Sequence, residues 1–367
     1  MDGYGFFWGW SNCALIGLMD NNTDFLVSAL CRTFNQSNYI TDTLNGFAMQ
    51  QTTFPFVAVV IDDASTDGEQ DVIREYIERH FDCSSESVFR QWETEDAHWT
   101  FARHLENENC YFVVVYLKRN LHHEKEKKEA LVKDWTNTKY VSLCEGDDYW
   151  TDPLKLQKQV GFLETHEDYT MCCTGFSQTF EGNEREKSAV VYDMDEISFD
   201  RIIKGIWIGT LTVVYRREVM DDYQPPISDL PFGDLPFWCQ LALIGKIKYF
   251  RDVTANYRCL KESASHSVDL KKQLKFDLDS MRAREYYATI SNKVDIVQSG
   301  FSKDSHYYLE QCYKNCWFDF PMDTLWHFVK EYGHPSGYDK VKYWGMKSKS
   351  RYNISKLILS ILKKSKK

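Results

Sequence analysis

FPFVAVVIDDASTDG (residues 54–68) decides how the rest of the chain is read. Val57, Val59, Val60 and Ile61 run without polar alternation into Asp62 and Asp63. A short β-branched run of this kind marks a strand buried on both faces, as a parallel sheet requires. A second stretch, YVSLCEGDDYW (residues 140–150), repeats the arrangement: Tyr140, Val141 and Leu143 lead into Glu145, Asp147 and Asp148. In open α/β sheets, ligands bind beyond the carboxyl ends of such strands. Carboxylates gathered there repel one another and resist desolvation unless a cation or hydrogen-bond donors compensate. A divalent metal carrying a phosphorylated ligand supplies that cation, so the pattern points to a nucleotide diphosphate.

Working outward, residues 24–31 read as a first strand, and 39–50 as a helix with Ile40, Leu44 and Phe47 at helical spacing. After strand 54–61, Thr66 or Asp67 is placed to cap a helix over 68–81. Strand, helix, strand, helix in succession is a βαβ pattern with right-handed crossovers. YFVVVYL (111–117) adds a buried strand ending at Lys118, Arg119 and Asn120, and a charged helix over 122–137 returns to the second acidic cluster. Further on, 154–166 reads as a helix, 169–180 and 206–215 as strands, and 181–196 as a polar loop. FGDLPFW then opens a helix that is followed by a strand into NYRCLKESASHS. Beyond about residue 270 the pattern changes to long, aromatic-rich helical segments, which sets a boundary near 268.

Composition narrows the class. With 367 residues, 43% hydrophobic and 15% aromatic, the chain has core-forming material for one large or two ordinary domains. It contains no apolar run long enough to span a membrane. Residues 1–23 are aromatic and apolar but lack a preceding positive charge, which makes them a poor signal peptide and a leader of open structure. The eleven cysteines are odd in number and form no CxxC pair, so neither a zinc cage nor a disulfide framework is expected. Such usage suits a reducing, cytoplasmic compartment.

The formal charge is −10, yet from Lys340 onward there are ten basic residues and no acid, leaving −20 on the rest. A basic end on an acidic body argues against general nucleic-acid binding and for a local anionic contact. Within residues 341–367, Ile354, Leu357, Ile358, Ile361 and Leu362 form one helical stripe among lysines. Two readings stay open for it: a basic amphipathic helix on an anionic membrane, or a terminal helix docked on the body.

From Asp24 to His266 the chain resembles the family-2 glycosyltransferases of the GT-A fold. The matching pieces are FLVSALCRTFNQSNYITDTLNGFAMQQ, VVIDDASTDG, LKRN, YVSLCEGDDYWTDPLKLQKQ, FGDLPFWCQLALIGKIKYF and NYRCLKESASHS, in the family's order. The resemblance implies a Rossmann-like α/β domain over 24–268, with a mostly parallel sheet covered by helices on both faces. A helical extension over 269–340 and the basic tail follow. It also implies an inverting enzyme that moves a sugar from a nucleotide diphosphate, UDP first, to a hydroxyl of a glycan or lipid-linked acceptor. No residue excludes GDP or a deoxythymidine nucleotide. Such an enzyme would be cytoplasmic, or peripheral on the inner face of the cell membrane.

Carried over by motif, Thr33, Phe34 and Asn35 match the family's nucleotide-contacting turn, and Asp62 and Asp63 its acid pair at base and ribose. Arg119, Asn120 and Lys128 fall where Asn and Arg often approach the nucleotide, although the helix here departs from the family's small-residue pattern. Glu145, Gly146 and Asp147 occupy the Asp-X-Asp position, with Glu in place of the first Asp. Asp147, Asp148 and His266 are the implied ligands of Mn²⁺ or Mg²⁺, and Arg258 and Lys261 could balance phosphate charge. Asp234 matches the general base, and otherwise reads as a helix cap. Trp150, Trp207 and Trp238 are either sugar platforms or core. Three rivals remain. A sugar nucleotidyltransferase would place a glycine-rich basic loop where this chain has CRTFNQSN. A non-catalytic module would not need Asp147, Asp148 and Asp234 together. A phospho-accepting receiver domain would be far shorter.

Overall fold

The computed structural model describes residues 24–221, 223–261 and 269–364. The leader 1–23 and His266 lie outside the described residues. The chain divides into two units, an α/β unit and a helical one.

The α/β unit comprises the chain up to Glu196 together with Ile208–Asp222 and Gly245–Arg258. Its strands are β1 (Val27–Thr33), β2 (Phe56–Asp62), β3 (Arg90–Glu93), β4 (Ala97–Arg103), β5 (Cys110–Leu117) and β6 (Tyr140–Leu143). They continue with β7 (Tyr149–Trp150), β8 (Tyr169–Phe180), β9 (Asn183–Val190), β10 (Val214–Arg216) and β11 (Lys246–Cys259). The sheet runs β3-β4-β5-β2-β1-β6-β10-β8-β11-β7, with β9 paired to β8. The β5-β2-β1-β6 centre is parallel, and the pairings of β3 with β4, β4 with β5 and β6 with β10 are antiparallel.

Every residue of β2 and β5 is buried, as their unbroken apolar runs predict. Helices α1 (Ile40–Ala48), α2 (Glu69–His80), α3 (Lys125–Val132) and α4 (Lys155–Thr165) connect these strands. One core layer joins Ile40, Leu44 and Phe47 of α1 to Ala58, Val60 and Phe112. The other joins Val57, Val59 and Ile61 to Trp99, Val113 and Trp135. Alternate residues of β2 thus serve opposite faces, which is the pleat at work.

Strand order reverses at β1: β2 lies on one side and β6 on the other. That is a topological switch point, where the loops after adjacent strands part and leave a crevice. Both acidic clusters stand at it.

The structure corrects the sequence reading in three places. Residues 181–196 are not simply a loop, because β9 folds back on β8 through Gly182, whose φ of 80° suits a tight turn. Its polar sequence belongs to a sheet edge, where charged side chains guard unpaired backbone. Residues 206–215 form only the short β10, preceded by a 3₁₀ turn at Thr210–Thr212. There the Thr212 hydroxyl donates to the Gly209 carbonyl at 2.7 Å, offering the backbone a turn instead of a ladder. The β3–β4 hairpin has no counterpart in the sequence reading at all.

The helical unit consists of Ile197–Trp207, Tyr223–Ile244 and Cys259–Lys367. It contains α5 (Phe199–Lys204), α6 (Asp234–Ile244), α7 (Leu270–Ile290), α8 (Val294–Asn315), α9 (Met322–Gly333), α10 (Gly337–Gly345) and α11 (Lys349–Lys364). It therefore draws in two segments from before residue 268. Phe199, Ile202, Ile203, Phe237 and Trp238 are buried there, and the long helices supply Leu278, Met281, Tyr287 and Phe301 to the same unit's core. Among the described residues no helix is long and apolar enough to cross a membrane.

Candidate active site

Thr33 ends β1 and lies in register with Asp62, the last residue of β2. Beyond them the two loops are laced together. Asn35 and Ala64 both adopt left-handed backbone conformations, with φ of 55° and 61°. For Asn35 this is ordinary; for Ala64 it is strained, and strain of this kind gathers at functional loops. The Asn35 N–H donates to Ser65 Oγ at 2.9 Å, and the Thr66 N–H donates back to Asn35 Oδ1 at 2.8 Å. Asp67 accepts from the Ser37 N–H, and such backbone donors hold its carboxyl below the usual range despite the opposing effect of desolvation.

Glu69 ties this junction together, and sequence reasoning missed it. It is fully buried and accepts from the Thr33 hydroxyl, from the Gln36 N–H at 2.9 Å and from Ser65 Oγ at 2.8 Å. Burial raises its carboxyl above the ordinary value against these three donors. Thr66 and Glu69 have capping-box spacing, but the carboxylate reaches across to the β1 loop instead. Gly68 takes the cap position of α2.

The two residues of the first acid pair do different work. Asp62 is fully buried, and one of its oxygens accepts from the Ser65 N–H at 3.1 Å and Gln70 Nε2 at 2.5 Å. Its other oxygen, Oδ2, has no partner among the described residues. A buried acceptor left open costs a desolvation penalty that a ligand donor would relieve. Asp63 is instead occupied from within. It accepts from the Leu121 N–H at 2.6 Å and pairs with the buried Lys128, while its carbonyl accepts from Asn120 Nδ2 at 3.0 Å. Asn120, in the loop after β5, and Lys128, on α3, therefore both tie to the end of β2. Arg119 turns away to a forked pair with Glu124.

The second acidic cluster closes on the first through Gly146. Its N–H donates to the Arg32 carbonyl at 3.1 Å. A Cβ on Gly146 would sit 2.1 Å from Thr33 Oγ1 and 2.5 Å from Thr33 Cβ. The glycine is needed for the approach of two loops. Gly146→Ala is accordingly expected to cost about 1–3 kcal/mol by overpacking, read as a lower midpoint in thermal unfolding. An unchanged midpoint would show that the loops do not meet here.

Asp147 and Asp148 follow. Asp148 Oδ1 accepts the Arg258 N–H at 2.8 Å, and the Arg258 guanidinium donates to the Asp147 carbonyl at 2.6 Å and pairs with Asp42. The same guanidinium lies over the rings of Tyr149 and Tyr39, 4.5 and 5.1 Å from their centroids. Burial lifts the carboxyl of Asp147 above its usual range. Burial, and then the neighbouring Asp147, lift that of Asp148 well above it. Glu145 is exposed. Among the described residues no three His, Cys, Asp or Glu side chains converge as a ready-made metal cage. Two adjacent carboxylates, Asp148 buried and Asp147 half-buried, nevertheless fit Mg²⁺ or Mn²⁺, which take one or two carboxylates and complete their shell with water and substrate phosphate.

Asp234 belongs to the helical unit. It opens α6, where its Oδ1 accepts the Leu235 N–H at 2.7 Å. Of the tryptophans, Trp150 is core: it is buried and donates from Nε1 to the Leu211 carbonyl at 2.9 Å. Trp238 is buried as well.

No protein-family model matches the chain. An uncharacterised Mycobacterium tuberculosis protein, Rv1520, is 29% identical over 276 residues, covering 74% of this chain and 68% of its own length. TuaG of Bacillus subtilis, a putative teichuronic acid biosynthesis glycosyltransferase, is 26% identical over 242 residues, 65% of this chain and 81% of its own. The chain resembles a glycosyltransferase. The crystal structure of S. aureus TarS 1–349 in complex with UDP-GlcNAc superposes with a TM-score of 0.50 at 16% identity, covering 90% of this chain and 92% of that one. This second likeness is one of fold, and it agrees with the GT-A architecture of the sheet and its helices.

Proposed function

We propose that the chain transfers a sugar, with inversion, from a nucleotide diphosphate to a hydroxyl of a glycan or lipid-linked acceptor, with UDP the first candidate nucleotide. The supporting observation is the meeting of the two acidic clusters across Thr33, which pairs in register with Asp62 and packs against Gly146. In this reading the open Oδ2 of Asp62 accepts from a uracil N–H or a ribose hydroxyl. Asp63, held by Lys128 and Leu121, fixes the strand end rather than meeting the ligand with its carboxylate. Thr33 and Asn35 shape the turn beside the nucleotide, Glu145 reaches the ribose, and Arg119 stands at the edge.

Asp147, with Asp148 beside it, would hold Mg²⁺ or Mn²⁺. The bound ion would neutralise charge on the diphosphate. Asp234 takes the proton of the acceptor hydroxyl as that oxygen attacks the anomeric carbon from the face opposite the diphosphate. The basic end attaches the protein peripherally to the inner face of the cell membrane.

The test is thermal unfolding and calorimetry with UDP, GDP and TDP, each with and without Mn²⁺, on wild type and Asp147→Ala. At a ligand concentration a hundred times Kd, binding should add about 2.7 kcal/mol of stability. One diphosphate should do this with metal, and the gain should vanish in Asp147→Ala. Absence of binding by all three, with or without metal, would remove the transferase reading and favour a partner-binding module.

A further inference from the structure

Helix α11 has two apolar faces, where the sequence suggests one stripe. Its inward face carries Tyr352, Ser355 and Leu359, all buried. Ser355 Oγ lies 2.8 Å from the Tyr313 hydroxyl of α8, and the Tyr352 ring is 4.9 Å from that of Tyr313. This face docks the helix on its own unit. The outward face carries Ile354, Leu357 and Ile361, which are 51%, 63% and 57% exposed. Their spacing of three and four residues makes them a single stripe. Ile358 and Leu362 lie half-buried between the two faces. Near the start of the helix the Arg351 guanidinium stands 5.8 Å from the ring centroid of Trp344, itself 38% exposed.

The charge around this stripe selects its occupant. Lys342 and Lys347 are paired to Glu310 and Asp323. Among the described residues, Lys340, Lys349, Arg351, Lys356, Lys363 and Lys364 take part in no ion pair with an acid of the chain. A second copy of the helix would cover the stripe only by bringing two such clusters together, and like charges across an interface are costly. An anionic bilayer surface satisfies both features: the stripe enters the acyl boundary and the long basic side chains reach the phosphates.

We infer that Trp344, Ile354, Leu357 and Ile361 form the face by which the protein lies on an anionic membrane, with Arg351 and Lys364 at its borders. This deepens the membrane attachment proposed for the basic end and depends on neither donor nor acceptor. It is tested by flotation of the full chain with vesicles of phosphatidylcholine alone, or with a third of the lipid replaced by phosphatidylglycerol. The variants are Leu357→Glu/Ile361→Glu and Arg351→Gln, with thermal unfolding as the check on folding. Wild type should bind only the anionic vesicles and release at high salt. The double variant should lose binding at least tenfold, and Arg351→Gln should lose about fivefold, the effect of one basic residue at the surface.

No binding to either vesicle would overturn both the attachment and this face. Anionic binding that survives Leu357→Glu/Ile361→Glu would leave the attachment and overturn the face. A wild type that ignores vesicles but self-associates, and becomes monomeric in the double variant, would assign the stripe to a second copy.

Discussion

Asp234→Asn should lower kcat by on the order of 10²–10⁴-fold, the usual contribution of a positioned general base, while leaving the binding of UDP and metal unchanged. The substitution keeps the side chain's shape and its capping oxygen, so the acceptance from the Leu235 N–H is retained. What it removes is the capacity to take a proton. Donor binding and turnover must therefore separate in this variant. Stepwise calorimetry with UDP and Mn²⁺, followed by turnover with the matching sugar nucleotide, reads the two quantities independently. A variant that keeps full turnover would show that another group carries the proton. A variant that unfolds at a lower temperature and loses UDP binding would reduce Asp234 to a helix cap.

The second large effect is on stability. Lys155 is fully buried at the start of α4, with its ammonium 3.2 Å from Ser142 Oγ and 4.4 Å from the centroid of the Trp150 ring. Among the described residues it forms no ion pair with a carboxylate. Burial drives its pKa down from 10.5 to about 7. Between those two values the unfolded chain holds the proton and the folded one does not, so stability rises with pH across that window. Below pH 7 both states are charged and the full cost of burying the ammonium is present, on the order of 5 kcal/mol. Lys155→Met fills the same volume without the charge. It is expected to stabilise the protein by a few kcal/mol at pH 6, and by much less near pH 10. Denaturant unfolding of both proteins from pH 6 to 10 checks this. A difference that stays flat across the series would mean that the ammonium is solvated or paired.

The legible parts of this chain were those where one physical requirement dominates. Strands β2 and β5 are buried on both faces, and so Val57 to Ile61 and Phe112 to Val115 had to be apolar without interruption. The acids placed at the end of β2 and just after β6 were readable for the complementary reason, since charge directly after such a run must stand at a strand end. The β3–β4 hairpin was not readable, because Arg90–Glu93 lies along an edge where polar side chains are as good as apolar ones. Glu69 was hidden more thoroughly. It reads as an ordinary acid in the first turn of a helix, and two of its hydrogen-bond partners, Thr33 and Gln36, come from a loop more than thirty residues away. Lys128 was singled out only through the resemblance, as a neighbour of the nucleotide, and nothing local in KEKKEALV marks it as the partner of Asp63.

The interleaving of the two units bears on how the chain can be made and cut. Phe199, Ile202 and Ile203 leave the ribosome long before α7, α8 and α9, yet they belong to the unit that those helices build. Until the later helices are synthesised, these side chains and the apolar Phe237 and Trp238 lack most of the unit that buries them. The nascent chain thus carries two sticky insertions through a substantial part of its translation, which is a period of dependence on chaperones. By the same logic no proteolytic nick or truncation near residue 268 separates a self-sufficient sheet from a dispensable helical appendage. The shorter fragment would retain pieces of a core whose other half had been removed.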